Sequence, residues 1–559
     1  MDLLNHLTSL SYRSSVLSVV GAGLLTHGIF KRTETHEPVH LAILLLGIPV
    51  VLTSLLVQHS TSFVSALVTT FLAYWGTLAT SIVTYRLSPL HPLAKYPGPL
   101  ICKVTKLWLA FLSLRGKQHV YYARLHEQYG DVVRIGPNEL SFRNANAVVP
   151  MMGPTGLAKG PFWDGRIPEQ EKVKPMIALR DKTDHTRRRR PWTRAFSTAA
   201  LKGYEGILTN RCLQLVETLG YQKGTVDMTQ WIGYFAYDFM NDLAFSGGTE
   251  MMRDGDVDGL WHLMEAAQVN AIFMGHVPWL GALFLRLPNF AKDLKAFRAH
   301  AKKQAIARKK RGSPHKDLFH HLIDEDGVAS NPPTVFEVVS DGGLAIIAGS
   351  DTTSTAITNL VYYLLSNPTA YKRLQAEIDE YGEDALDYAK QAHMPYLNGA
   401  LNESLRLLPP VLSGSQRHVD RGSGGKAIGE HFVPEGTSVF IPFYSLHRDP
   451  RNFAPLPNAF LPERWLSSEK QLDLEPALFK DQSSVILNMN AFIPFSLGPS
   501  NCVGKNLAWM EMRMLVCLMM QRFDMKFEDG YAPEKWEEDM LDYFVMMKGK
   551  LPVVLTPRK

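Results

Sequence analysis

Four cysteines occur in the chain, Cys102, Cys212, Cys502 and Cys517, and one stands where a thiolate could work. Cys502 lies in Phe495-Ser-Leu-Gly-Pro-Ser-Asn-Cys-Val-Gly504, ahead of an amphipathic run that continues to about Arg522. Gly498 and Pro499 force a turn, which places Cys502 at a helix N-terminus. There the dipole and the free N–H groups stabilise a thiolate. Gly498 and Gly504 would let a flat ligand approach closely. Such a thiolate suits axial ligation of a haem iron, whereas a lone buried Cys is usually an inert small hydrophobe. A second group is Glu403-Ser-Leu-Arg406. Residues i and i+3 share a helix face, and the surrounding run Leu401 to Leu408 is otherwise apolar, so the pair is expected to be buried and to need further partners. The third group is Ala348-Gly-Ser-Asp351-Thr352-Thr353, where an acid beside a hydroxyl could relay protons.

These groups need elements to position them. Pro332-Pro333 followed by Thr334-Val-Phe-Glu337 is a capping-box signature, and apolar residues continue to Leu365 before Asn367-Pro368 ends the run. A helix of that length crosses a whole domain, about 50 Å. Gly342, Gly343 and Gly349 interrupt it at ~1 kcal/mol each relative to Ala, which predicts a distortion or a place where something approaches the backbone. Helical periodicity dominates from about 115 to 408, with extended, turn-rich segments near 131–143 and 426–446. The expected fold is mainly α with small β-sheets.

The start of the chain differs from the rest. From Pro38 to Tyr85 there is no Lys, Arg, Asp or Glu. A spanning helix needs ~20 apolar residues, which the run from about Phe63 to Tyr85 supplies. The run from about Leu41 to Val57 is borderline, and the one from Ser14 to Phe30 is weaker for its glycines. Residues 1–86 are therefore expected to be a membrane anchor of two or three transmembrane helices. Lys31 and Arg32 follow the first run; Arg86, Lys95, Lys103 and Lys106 follow the last, which places both groups and the main body on the cytosolic side. Residues 87–99, LSPLHPLAKYPGP, hold four prolines and form a stiff linker. The body is 100–559. With 59 Lys+Arg against 54 Asp+Glu the net charge is only +5, and the run Arg187 to Arg190 is weak support for nucleic-acid binding. Sparse cysteines exclude a disulfide framework, and no zinc spacing is present.

The Cys502 segment resembles the haem loop of the cytochrome P-450 monooxygenases, F-x-x-G-x-x-x-C-x-G, at Phe495, Gly498, Cys502 and Gly504. Glu403 to Arg406 matches that family's E-x-x-R, Phe460-Leu-Pro-Glu-Arg464-Trp its P-E-R-F segment with Trp465 for Phe, and His447-Arg-Asp-Pro450 a further motif. Residues 348–353 match its A/G-G-x-D/E-T-T/S. The motifs occur in family order across about 96–559, and the wording is most similar to fungal members, especially those of basidiomycete secondary metabolism. One departure is Ser500, where the family usually has Arg or His against a haem propionate.

The resemblance implies haem b with Cys502 as iron ligand. His185 and Arg189, one helical turn apart, and Arg417 would serve the propionates. Asp351 and Thr352 would deliver protons, and Glu403, Arg406 and Arg464 would form a structural network behind the loop. It further implies a monooxygenase placing one atom of dioxygen into a lipophilic small molecule, with hydroxylation of a terpenoid or other secondary-metabolite intermediate as the expectation. Electrons would come from NADPH through a separate membrane-bound NADPH–cytochrome P-450 reductase, with cytochrome b5 as a second donor and Lys505 and Arg513 near the docking face. The expected location is the endoplasmic reticulum membrane with the catalytic domain in the cytosol, and no nucleic acid is expected as partner. Ile347, Ala348 and Val411 to Ser413 fall where the family lines its pocket, and the apolar stretch Phe273 to Leu285 where a loop dips into the bilayer. The alternatives are an enzyme of this fold that isomerises or dehydrates hydroperoxides, which the intact Asp351-Thr352 pair disfavours, and a haem-binding scaffold without catalysis.

Overall fold

A computed structural model describes residues 10–33, 37–167, 173–284, 287, 292–313 and 315–558. Three helices lead the chain, Tyr12–Arg32, Pro38–Val57 and Phe63–Leu87, each long and apolar enough to cross a membrane. The first is the one whose glycines weakened the expectation, and one of those glycines makes the packing: a Cβ on Gly23 would sit 3.2 Å from the Tyr74 carbonyl oxygen. Small residues let helix backbones approach this closely. Pro49 has no N–H for the carbonyl four residues earlier. The second helix widens to a π turn at Ile43–Gly47, and Trp75 Nε1 donates to Leu45 O at 2.9 Å. Tyr74 donates to Leu44 O at 2.7 Å. In hydrocarbon a freed carbonyl requires such a partner. Lys31 Nζ lies 4.0 Å from the centre of the Tyr85 ring, so the basic ends of the first and third helices share one end of the bundle.

The proline-rich stretch after Leu87 is stiff, and it is also docked. His91, Leu93 and Tyr96 are buried, and Arg134 N–H donates to Pro97 O at 2.7 Å. Leu93 and Tyr96 pack on Val132 and Leu140 of a five-stranded sheet. Its order is Val132–Gly136, Glu139–Phe142, Ser438–Phe440, Arg417–His418 and Ala158–Lys159. The two turn-rich segments expected to be extended supply most of it.

The remainder is mainly helical with small sheets, as the periodicity requires. Its axis is the helix Val335–Ser366, 32 residues long. The capping box forms: Glu337 N–H donates to Thr334 Oγ1 at 3.3 Å, and Thr334 N–H to Glu337 Oε2 at 2.6 Å. No break follows at the glycines. What approaches the backbone there is the neighbouring helix Met228–Phe245: a Cβ on Gly342 would touch the Phe245 ring at 3.0 Å, and one on Gly349 would run into Met240 Sδ. The stretch expected to dip into a bilayer divides. Phe273, Met274 and Val277 are buried, while Trp279 and Leu283 are exposed apolar residues; Leu285 lies outside the described residues.

Candidate active site

The long helix and the Cys502 loop enclose a mostly apolar cavity of about 1110 Å³. Cys502 follows a 3-10 turn over Gly498–Ser500, and the helix Lys505–Arg522 begins just after it with Gly504 as its cap. The Cys502 N–H donates to Phe495 O at 2.9 Å, closing the loop. The Cys502 side chain is exposed and lines the cavity. Burial raises the thiol pKa; the Gly504 N–H, Arg189 and Lys505 oppose that rise. Phe495 and Gly504 also line the cavity, and a Cβ on Gly504 would meet nothing closer than the Phe196 ring at 3.7 Å. Gly498 has a different task. It takes φ of +71°, and a Cβ there would run into Met152 O, so glycine is required by the backbone rather than by a ligand.

Four basic side chains converge on the cavity wall: Lys159, His185, Arg189 and Arg417. Lys159 and Arg417 are partners directly across antiparallel strands, and both are buried. Like charges in that register are destabilising. Arg417 Nε is buried with no partner, and Lys159 reaches only Met176 O at 3.3 Å. Burial, then the fields of Arg417 and Arg189, push Lys159 well below its usual range. Burial and the same cations hold His185 near about 3. Arg189 donates to Asn501 O and Oδ1, both at 2.8 Å, and so ties its helix Lys182–Ala195 to the residue before Cys502. Two of the other three arginines in the run are engaged within the protein: Arg188 pairs with Asp341 at 2.7 Å and Arg187 with Asp184 and Glu337, while Arg190 is exposed.

Thr352 lines the cavity and donates to Ala348 O at 2.5 Å. Asp351 is buried beside it and is not part of the cavity wall. It accepts from Gln268 Nε2 at 2.9 Å and pairs with Lys548 at 3.5 Å. Gln268 itself lines the cavity, so a polar path runs from the cavity through Gln268 to Asp351 and Lys548. Ile347, Ala348 and Val411 are on the wall; Leu412 and Ser413 are buried behind it.

Glu403, Arg406 and Arg464 meet, all with side chains 0% exposed. Glu403 accepts two bonds from Arg406 at 2.7 Å, one from Arg464 at 3.4 Å and one from the Leu461 N–H at 3.1 Å. Trp465, the departure from the family's Phe, adds a fifth: its Nε1 donates to Glu403 at 2.9 Å. Arg406 also binds His447 O, and His447 Nε2 accepts from the Ile493 N–H at 3.1 Å. The network thus reaches the start of the cysteine loop.

A family model described as cytochrome P-450 matches residues 95–554. The chain belongs to the cytochrome P-450 family. It is 34% identical over 465 residues to the cytochrome P-450 monooxygenase nodW of Hypoxylon pulicicidum, covering 82% of each chain. It is 32% identical to cytochrome P-450 67 of Uromyces fabae, covering 88% of this chain and 91% of that one. With the tryprostatin B 6-hydroxylase of Aspergillus fumigatus the identity is 33%, over 89% of this chain and 85% of that one.

Membership in this P-450 family implies haem, and the residues present fit it. Among the described residues no group of three or more His, Cys, Asp or Glu could hold a metal ion, which is compatible with an iron at Cys502 whose other ligands belong to a cofactor. The Lys159–Arg417 pair and His185 lack an anion that two propionates would supply. Lys159 was not legible in the sequence: Ala158-Lys159-Gly160 carries no motif, and only the strand register sets it against Arg417. It adds a basic group to a cavity wall on which Ser500 stands instead of the usual Arg or His. Replacing Lys159 by Met should have two opposite effects. Haem transfer to apomyoglobin should speed up roughly tenfold, since charge-assisted bonds are worth ~1.5–3 kcal/mol, while the haem-free protein should melt higher. A haem-free protein that melts lower would contradict the unpaired-cation reading.

Proposed function

We propose that this P-450 is a membrane-anchored haem-thiolate monooxygenase that inserts one oxygen atom of dioxygen into a lipophilic small molecule. The observation that carries this reading is that Cys502 lines a large, mostly apolar cavity together with the basic groups Lys159, His185, Arg189 and Arg417. Haem, when bound, supplies dioxygen activation and the oxidising power for a C–H bond. Cys502 would supply the sulfur that holds the haem iron, and ligation would favour the thiolate over the thiol that burial favours. His185, Arg189, Arg417 and Lys159 would hold the haem propionates. Thr352 keeps a hydroxyl on the cavity wall. Asp351 holds its carboxylate one residue away, restrained by Gln268 and Lys548, so proton supply to Thr352 requires one of those bonds to open. Glu403, Arg406 and Arg464 fix the loop and take no part in the chemistry.

Residues 1–86 form the anchor and 100–559 the catalytic domain, which faces the cytosol at the endoplasmic reticulum. The shared position of Lys31 and Arg86 at one end of the bundle supports that orientation. Electrons come from NADPH through a separate reductase, with cytochrome b5 as a second donor. Lys505 is exposed, with its Nζ 5.8 Å from the centre of the Phe495 ring, and can meet an acidic partner; Arg513 is engaged with Asn398 at 2.8 Å. The substrate is a secondary-metabolite intermediate of the terpenoid kind or similar, and the similarity to tryprostatin B 6-hydroxylases supports hydroxylation.

The reduced, carbon-monoxide-bound protein should show the strongly red-shifted Soret band of thiolate-ligated haem. Folded, haem-loaded protein without that band would overturn the reading. Thr352→Ala should keep the band and keep consuming NADPH, while product per NADPH falls by roughly tenfold or more, in line with the loss of a positioned proton donor.

A further inference from the structure

Arg166 ends the short helix Phe162–Arg166 and lines the same cavity as Cys502. It is 8% exposed, its Nη1 is buried without a partner, and it makes no hydrogen bond or ion pair with any described residue. Three aromatic faces surround the guanidinium, with centres 5.0 Å (Phe544), 5.6 Å (Phe162) and 5.7 Å (Trp163) away. Rings favour the positive charge but accept none of the in-plane N–H donors, of which a guanidinium has five. The acid acting on it, Asp542, is not within ion-pair distance; its carboxylate accepts from the Ser413 hydroxyl and from the Phe544 N–H at 3.2 Å. Burial lowers Arg166 to about 10, which leaves it charged at neutral pH.

A buried cation with its donors unmet is costly, and an incoming carboxylate would meet them in bidentate geometry. We propose that Arg166 is a substrate-anchoring site that takes the carboxylate of an otherwise apolar acid, whose hydrocarbon body lies along Ile347, Ala348 and Val411. Fixing the acid end sets how far along the chain the reacting carbon lies from Cys502. The inference names the substrate class of the proposed monooxygenase and rests on that reading for the reaction.

The test uses full-length, haem-loaded protein and ω-imidazolyl alkanoic acids of graded length, each with its methyl ester. The imidazole binds the iron and gives a spectral shift whatever the tail does. At the matching length the acid should bind at least roughly tenfold tighter than its ester, the scale of a charge-assisted pair. Arg166→Gln should bring the ratio near one with ester affinity unchanged, and Arg166→Lys should keep part of the preference. An acid no tighter than its ester at every length, or a preference that survives Arg166→Gln, overturns the proposal. If Arg166→Gln fails to load haem, the wild-type ratio and Arg166→Lys decide. Failure of the haem-thiolate reading would show separately, as absence of the red-shifted Soret band.

Discussion

Glu403→Ala should cost about 3–5 kcal/mol of stability and leave a protein that does not retain haem. Glu403 takes hydrogen bonds from Arg406, Arg464, Trp465 and the Leu461 N–H, and its removal strands two guanidiniums that are fully buried. A total of 5–15 kcal/mol is typical of a folded domain, so the loss is a large share. The damage also spreads along the chain. Arg406 holds the carbonyls of His447, Pro457 and Ala459, and Arg464 those of Pro455 and Leu456. His447 is neutral, held near about 3 by burial and by Arg406; Nδ1 faces the Arg406 carbonyl, so Nε2 is left to accept from Ile493. Loosening Arg406 therefore frees the segment that leads into Cys502. Denaturant unfolding and haem content per chain measure both effects. Trp465→Phe removes one neutral donor among five and should cost about 1.5–3 kcal/mol, less than Glu403→Ala, with haem retained. Wild-type stability in Glu403→Ala would show that the network is not what holds the loop.

Cys502→Ala should act on the iron and hardly on the fold. The sulfur packs against the cavity rather than the core, so the haem-free variant should melt within a degree or two of the parent. The propionate contacts remain, so some haem should still load. The red-shifted Soret band should vanish and product formation should fall to background, because no other described residue type in the loop offers a thiolate. Cys502→Ser should behave in the same way, since an alcohol does not ionise at neutral pH. Spectra, haem titration and melting of the haem-free protein separate this outcome from that of Glu403→Ala. Retention of the band in Cys502→Ala would remove Cys502 as the axial ligand.

Much of the site was legible because its signals are local. Gly498 and Pro499 turn the chain, Thr334 and Glu337 cap the long helix, and Glu403 lies one turn from Arg406; each depends on backbone rules acting over a few residues. The apolar helices could be read from composition alone, although the packing use of Gly23 could not. Other features depend on contacts between distant segments. A short strand register sets Lys159 opposite Arg417. The hairpin Leu541–Tyr543 and Val545–Met547 brings Phe544 to Arg166 and Lys548 to Asp351, from a stretch with no motif. Gly349 read as a place where something approaches the backbone, and only the packed structure names it as Met240 of the neighbouring helix.

The sequence by itself determined the haem-loop pattern, the long capped helix, the acid–arginine pair and the apolar start of the chain, since short-range sterics and periodicity decide them. Tertiary structure alone decided which charges lack partners. An unpaired Arg417 or Arg166 is defined by every group that packs around it, and those groups come from segments hundreds of residues apart.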